Sequence, residues 1–207
     1  CMLQHAASSP THTTRMVLLA TVFGTLALTI QAQQTRFDIW KGNDIVGSIL
    51  AKRMVSDERT RYLLTSYTEI NAVLKQAVRT TVAVEYRHGN LSTSFTHLYV
   101  NDVLRDSSHF TRGEEEASCY VYPDDRFRHQ PSVQWTTARM YFEEPTGQHS
   151  IFVESIMKPC PLQALGLGYY RLTLPGGKVN TYMYMNGRLE EIHVDRSFLD
   201  LVFKRDE

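Results

Sequence analysis

The chain has 207 residues, with 22 basic and 22 acidic side chains and no net charge. That length suits one ordinary domain, large enough to bury roughly 70% of its unfolded surface. No basic block stands out, which argues against a nucleic-acid surface, and neutrality argues against strong steering toward charged membranes.

Residues 1–15, CMLQHAASSPTHTTR, are polar and begin with Cys1, so they read as an over-extended start with Met2 or Met16 as the true first residue. From Val17 to Ile30 there follow fourteen residues without a charge. A membrane-spanning helix needs about 20 apolar residues. The run fits the apolar region of a secretory signal peptide instead, with Arg15 as the only basic residue ahead of it. The expected cut falls after Ala32, which makes 16–32 the signal peptide and 33–207 a single β-rich domain. A buried core helix or a retained anchor is the alternative. With no Cys between Gln31 and Trp40, a lipid anchor is not expected. Processing leaves 175 residues, at 21 basic against 22 acidic, because Arg15 is the only charge removed. After that cut no stable transmembrane anchor is expected, and the expected compartment is periplasmic or extracellular.

Alternation dominates after Gln34. Phe37 and Ile39 alternate with Arg36 and Asp38, and Gly42-Asn43 marks a turn. In DIVGSILAKRMV, Ile45, Gly47, Ile49 and Ala51 share one face; Gly47 suggests a bulge or a close backbone approach. SDERT is the next turn. TTVAVEY sets Val82, Val84 and Tyr86 on one face. YTEINAVLKQAV also has helical spacing, and the strand is preferred over the helix. Gly89-Asn90 marks a hairpin, followed by a strand with Phe95, His97 and Tyr99 on one side. DSSHFTRGEEEAS reads as a loop or solvated edge, CYVY and QWTTARMYFEEP as strands around a turn-rich PDDRFRHQP, and MKPCPLQALGLG as a loop or single helical turn. Pro175-Gly176-Gly177 and Asn186-Gly187 mark two more turns; Asn-Gly is the strongest short hairpin cue because a type I′ turn needs positive φ at both central residues. FLDLVF closes the chain as a strand or short helix.

The sum is eight to eleven short antiparallel strands. The expected fold is all-β: an antiparallel, strongly curved sheet forming a half-barrel or barrel, with a short helical turn or loop. Cys119 and Cys160 would commonly pair in an oxidising compartment. Such a bond would close about 40 residues and contribute on the order of 3–4 kcal/mol. Two buried free thiols are the alternative.

The pieces FDIWKGNDIVGS, YFEEPTG…IFVES and YYRLTLPGGKVNTYMYMNGRLEEI together resemble a family of exported bacterial domains of unknown function, over most of residues 35–194. The most specific piece is Leu174-Pro175-x-Gly177 followed by Asn180-x-Tyr182-x-Tyr184-x-Asn186-Gly187. The resemblance implies a secreted all-β domain similar to the curved sheets of periplasmic lipoprotein carriers. It implies no activity and carries over no catalytic residue.

Residues with chemical potential are few. His88 and His97 could approach across their hairpin as a metal pair, although strand-face histidines are the plainer reading. Glu143 and Glu144 point to opposite faces if extended, whereas Glu144 and Glu154 could meet across a hairpin as an acid–base pair. Ser48 and Ser155 lack a motif to activate them. No catalytic residue, metal ligand or cofactor is assigned. The strand aromatics Trp40, Phe95, Tyr99, Trp135, Tyr141, Tyr170, Tyr182 and Tyr184 are candidates to line an apolar cavity or, more plainly, to fill the core. In YMYM, Tyr182 to Met185, both faces of one strand are apolar, so the outward one needs cover from chain, ligand or partner. The leading expectation is a non-catalytic binding module for a lipophilic small molecule or envelope component. The alternatives are a structural protein docking an envelope partner through a strand edge or the Met-Tyr face, and an envelope hydrolase using Glu144 or Glu154.

Overall fold

A computed structural model describes residues 31–71, 75–129, 131–195 and 200–206. Residues 1–30, which hold most of the expected signal peptide, lie outside it, as do Phe198 and Leu199 of the closing segment. The described chain forms one antiparallel sheet of fourteen strands. In chain order these are β1 (Gln31–Lys41), β2 (Asp44–Val55), β3 (Arg59–Asn71), β4 (Lys75–Arg87), β5 (Asn90–Val100), β6 (Val103–Arg112), β7 (Ala117–Val121) and β8 (Asp125–His129). After a single helical turn, α1 (Thr137–Met140), come β9 (Ser150–Val153), β10 (Lys158–Gly166), β11 (Tyr169–Thr173), β12 (Val179–Met185), β13 (Arg188–Asp195) and β14 (Leu201–Arg205). The expected fold class is what the chain adopts.

The strand order is a double meander. β1 pairs with both β2 and β14, so the first and last strands meet in the middle and β8 and β9 become the two edges. Every ladder joins sequence neighbours except β1–β14. The segment between β8 and β9 therefore has to pass from one edge of the sheet to the other. It does so across the concave side, where Val133, Ala138, Met140 and Tyr141 join the core cluster with Phe37, Tyr62, Tyr86, Tyr170, Tyr182 and Tyr184. The curl brings the two edges together without a ladder. Phe152 of β9 sets its ring 5.6 Å from Phe110 and 5.3 Å from His129, and the Lys158 ammonium lies 5.7 Å from the Phe127 ring. The free edge of β9 is capped by the connecting segment, where the Phe152 amide donates to the Trp135 carbonyl at 3.0 Å. Covering an edge in this way removes a template for unwanted pairing.

Local chemistry explains the elements. Ile49 and Ala51 are buried, and Val84 and Tyr86 likewise, so the two-residue period of β2 and β4 points inward as expected. A Cβ on Gly47 would stand 2.2 Å from the Tyr67 carbonyl oxygen, the close approach that a glycine inside a strand signals. Asn186 (φ +53°) and Gly187 (φ +75°) both take the left-handed values of a type I′ turn.

Five local expectations are corrected, and the strands among the described residues number fourteen rather than eight to eleven. DSSHFTRGEEEAS is mostly β6, with Phe110 and Ser108 fully buried; its polar string hides an inward face. MKPCPLQALGLG is strand β10, and PDDRFRHQP contains β8. QWTTARMYFEEP is not a strand: it holds α1 and the crossing segment. The hairpin turn sits on His88-Gly89, one residue early, with His88 at φ +48°.

Candidate functional site

The crossing segment 131–149 plugs the lumen, and the wall holds it by polar side chains. Glu154, at the end of β9 and 1% exposed, accepts the Thr137 amide at 3.2 Å, the Ala138 amide at 2.8 Å and the Thr137 hydroxyl. These are the orphan donors of α1's first turn. Burial pushes the Glu154 carboxyl above the usual range, and the bonds from Thr137 and Ala138 pull it back only in part. The Glu154 carbonyl accepts the Ser108 hydroxyl at 2.7 Å. Ser108 has one proton, so Thr96, 2.5 Å away, donates to Ser108 in turn.

Four wall tyrosines reach the plug. Tyr184 donates to the Met140 carbonyl at 2.6 Å, Tyr86 to the Thr136 hydroxyl at 3.0 Å, Tyr62 to Glu143 at 2.9 Å and Tyr170 to Glu144 at 2.8 Å. Desolvation raises the phenol pKa of all four, so each remains a donor at physiological pH. Glu143 is also clasped by Arg53 at 3.2 Å and by Arg139, whose guanidinium lies 4.2 Å from the Trp135 ring.

This arrangement decides the fate of the candidate residues. Tyr141 of the plug and Tyr182 and Tyr184 of the wall are buried, so they fill the core rather than line an open cavity; Tyr141 packs edge-on against Phe37 at 5.4 Å. Trp135 borders a cleft of about 430 Å³ at the seam between the edges, together with His129 and Phe152. Trp40 is half-buried, with Lys204 6.0 Å from its ring. Phe95 and Tyr99 point outward with His97; the Phe95 ring lies 5.3 Å from His97 and 6.3 Å from His109. His97 meets His109 at 5.6 Å rather than His88. Among the described residues no group of three metal-ligating side chains forms. Glu144, within the plug, accepts from Tyr170 of the wall, whereas Glu154 of the wall accepts from Thr137 and Ala138, so the two candidate carboxylates are each held by other partners. Cys119 and Cys160 are buried free thiols, so the expected disulfide is not formed in this structure. They stand on β7 and β10, each the second strand from an opposite edge, and burial raises both thiol pKa values.

The plug does not fill the whole concavity. At the end formed by the β5–β6 hairpin, the turn after β9 and the β11–β12 connection, a cavity of about 670 Å³ remains. Its apolar lining is Val82, Leu98, Val153, Ile156, Leu174 and Pro175, and its polar lining is Thr80, Thr96, His97, Asp106, Thr137, Glu154, Ser155 and Lys178. That volume lies in the range of small-molecule sites, roughly 300–1,000 Å³. One carboxylate oxygen of Asp106, Oδ1, is buried there without a hydrogen-bond partner. Desolvation raises the Asp106 carboxyl pKa against the lowering effect of the Ser107 amide. Sequence reasoning missed this residue because RDSSHF shows no apolar period; its inward positions are polar, and they serve the plug and the cavity.

The described residues form an all-β half-barrel that wraps its own chain and leaves a cavity at one end. The chain belongs to the DUF6134 family, a domain of unknown function, whose profile matches residues 37–206. A crystal structure of a β-barrel-like protein of domain of unknown function DUF1849 from Brucella abortus is similar over 87% of this chain and 98% of that one, at 8% identity and a TM-score of 0.49. No curated protein matches the chain.

Proposed function

We propose that this chain is an exported, non-catalytic binding module that holds an amphipathic small molecule in the mouth of the half-barrel. The observation that carries this reading is the unpartnered Asp106 oxygen in a cavity whose walls include the aliphatic side chains Val82, Leu98, Val153, Ile156 and Leu174. A buried acceptor without a donor costs about 1–3 kcal/mol, and a ligand that brings an N–H or O–H relieves that cost. The apolar walls take a hydrocarbon body, and Thr80 and Thr96 add hydroxyls beside the head group. The ligand class is therefore a lipophilic amine or alcohol. Export is supported by the uncharged run Val17–Ile30 and its expected cut after Ala32.

Calorimetric titration with dodecylamine, dodecanol and laurate tests the reading. The amine and the alcohol bind and laurate binds more weakly; Asp106→Asn weakens the amine about tenfold or more, and Leu98→Trp abolishes uptake by filling the cavity. A parent that takes up none of the three, or an Asp106→Asn variant that binds the amine as the parent does, overturns it.

A further inference from the structure

Two histidines stand side by side on the outward face of β5 and β6. Across that ladder Phe95 pairs with His109 and His97 with Ser107, so His97 and His109 occupy a diagonal of one face. Diagonal neighbours lie within reach of long and aromatic side chains. The two ring centres are 5.6 Å apart, with the planes inclined at 64°. Two imidazoles bound to one tetrahedral metal, each at roughly 2.1 Å, stand with ring centres about 5 Å apart. Small side-chain rotations therefore bring both rings onto a single ion. His109 is exposed and His97 half-buried, so an ion reaches them from solvent. Among the described residues neither imidazole has a hydrogen-bond or ion-pair partner, whereas His193 of β13 pairs with Glu191 at 3.0 Å.

We propose that His97 and His109 form a surface binding site for a first-row transition metal of the copper and zinc class, with water in the remaining positions. The setting around the pair is aromatic. Phe95 lies 5.3 Å from His97 and 6.3 Å from His109, Tyr99 lies 6.3 Å from His97, and Tyr120 of β7 lies 6.2 Å from His109. Ring packing alone would be served by phenylalanine at both positions, and two adjacent imidazoles repel once both are protonated. Desolvation, with His97 beside it, holds the His109 imidazole below its usual range. His109 is therefore neutral at physiological pH, the form that binds a metal. Of the flanking charges, Arg126 of β8 lies 4.9 Å from the Tyr120 ring, and Arg79 of β4, opposite Tyr99, pairs with Asp102. Among the described residues no third His, Cys, Asp or Glu joins the pair. Imidazole suits copper, zinc and nickel, and copper is the tightest of the divalent series. With two protein ligands the ion is exchangeable, unlike one in a closed structural site.

The inference stands apart from the ligand proposed above. Titration of the full chain with copper(II) and zinc(II), followed residue by residue by NMR, tests it. Paramagnetic copper broadens the Phe95, Tyr99 and Tyr120 ring resonances at the lowest additions, and zinc shifts the same rings at higher concentration. His97→Gln and His109→Gln each weaken the effect by about tenfold or more, and His193→Gln leaves it unchanged. His109→Phe separates metal binding from packing: the ring contacts and the melting temperature are kept, and the response to metal is lost. A parent whose three aromatic rings do not respond to copper overturns the inference, as does a His109→Phe variant that responds as the parent does. Broadening centred on other histidines marks an adventitious ion only and overturns it as well.

Discussion

The Glu154 carboxylate accepts the Ala138 amide at 2.8 Å, joining the end of an edge strand to the single helical turn inside the barrel. Seventeen residues separate Thr137 from Glu154, so the contact is made by the fold and not by local capping. Glu154→Ala strands the Thr137 and Ala138 donors in a dry site. The expected cost is about 3 kcal/mol, read as a fall in melting temperature of about 6–12 °C. Glu154→Gln keeps one acceptor and costs less. Equal stability of Glu154→Ala and the parent would show that the plug is not held this way.

The same carboxyl makes stability depend on pH. Burial raises its pKa in the folded state above the unfolded value, so the folded chain holds the proton more tightly. The resulting stabilisation is complete below the ordinary carboxylate pKa and is lost as pH rises through the raised value. Urea midpoints should fall in the parent as pH rises above the ordinary carboxylate pKa, and Glu154→Gln should flatten that slope. A slope of the opposite sign, or one that survives the substitution, contradicts the assignment.

The wall tyrosines should rank by burial. Tyr184→Phe removes a buried donor from the Met140 carbonyl and should cost about 1–2 kcal/mol. Tyr170→Phe frees Glu144, a half-buried carboxylate that water can reach, and should cost well under that. Denaturant unfolding of the two variants settles the order.

Gly168 and Gly176 have nearly the same positive φ, +79° and +75°, but different surroundings. A Cβ at position 168 would stand 2.3 Å from the Tyr184 carbonyl oxygen, whereas nothing lies within 4 Å at position 176. Gly176→Ala should cost about 1 kcal/mol, the conformational penalty alone. Gly168→Ala should cost clearly more, because backbone must move. Comparable melting temperatures for the two would remove the close approach between the paired hairpin tips.

Hairpins with strict alternation were legible from sequence. Phe37 and Ile39, Ile49 and Ala51, and Val84 and Tyr86 all face the core as their period required, and Asn186-Gly187 turns as the pair demands. Strands whose inward positions are polar or flanked by prolines were not. Ser108 of β6 and Cys160 of β10 are buried, but their neighbours carry the composition of loops. The plug was illegible for another reason. α1 has four residues, too few for a helical period to register, and its cap comes from a residue that only tertiary folding brings near. The cavity expectation went to the aromatics, and the plug occupies that space. The remaining cavity is lined by aliphatic side chains together with scattered polar ones such as Thr80, Asp106, Ser155 and Lys178, residue types that carry no distinctive pattern along the chain.

Amide hydrogen exchange on the ligand-free protein tests most directly whether the barrel is filled by its own chain. The Ala138 amide bonded to Glu154, the Leu91 amide bonded to the Val133 carbonyl and the Phe152 amide bonded to the Trp135 carbonyl all join plug to wall. The account predicts that these three exchange as slowly as the central amides of β3 and β4, through global unfolding. Exchange as fast as that of the exposed Gly42-Asn43 turn would mean the plug opens independently, and the lumen would then be available to a ligand after all.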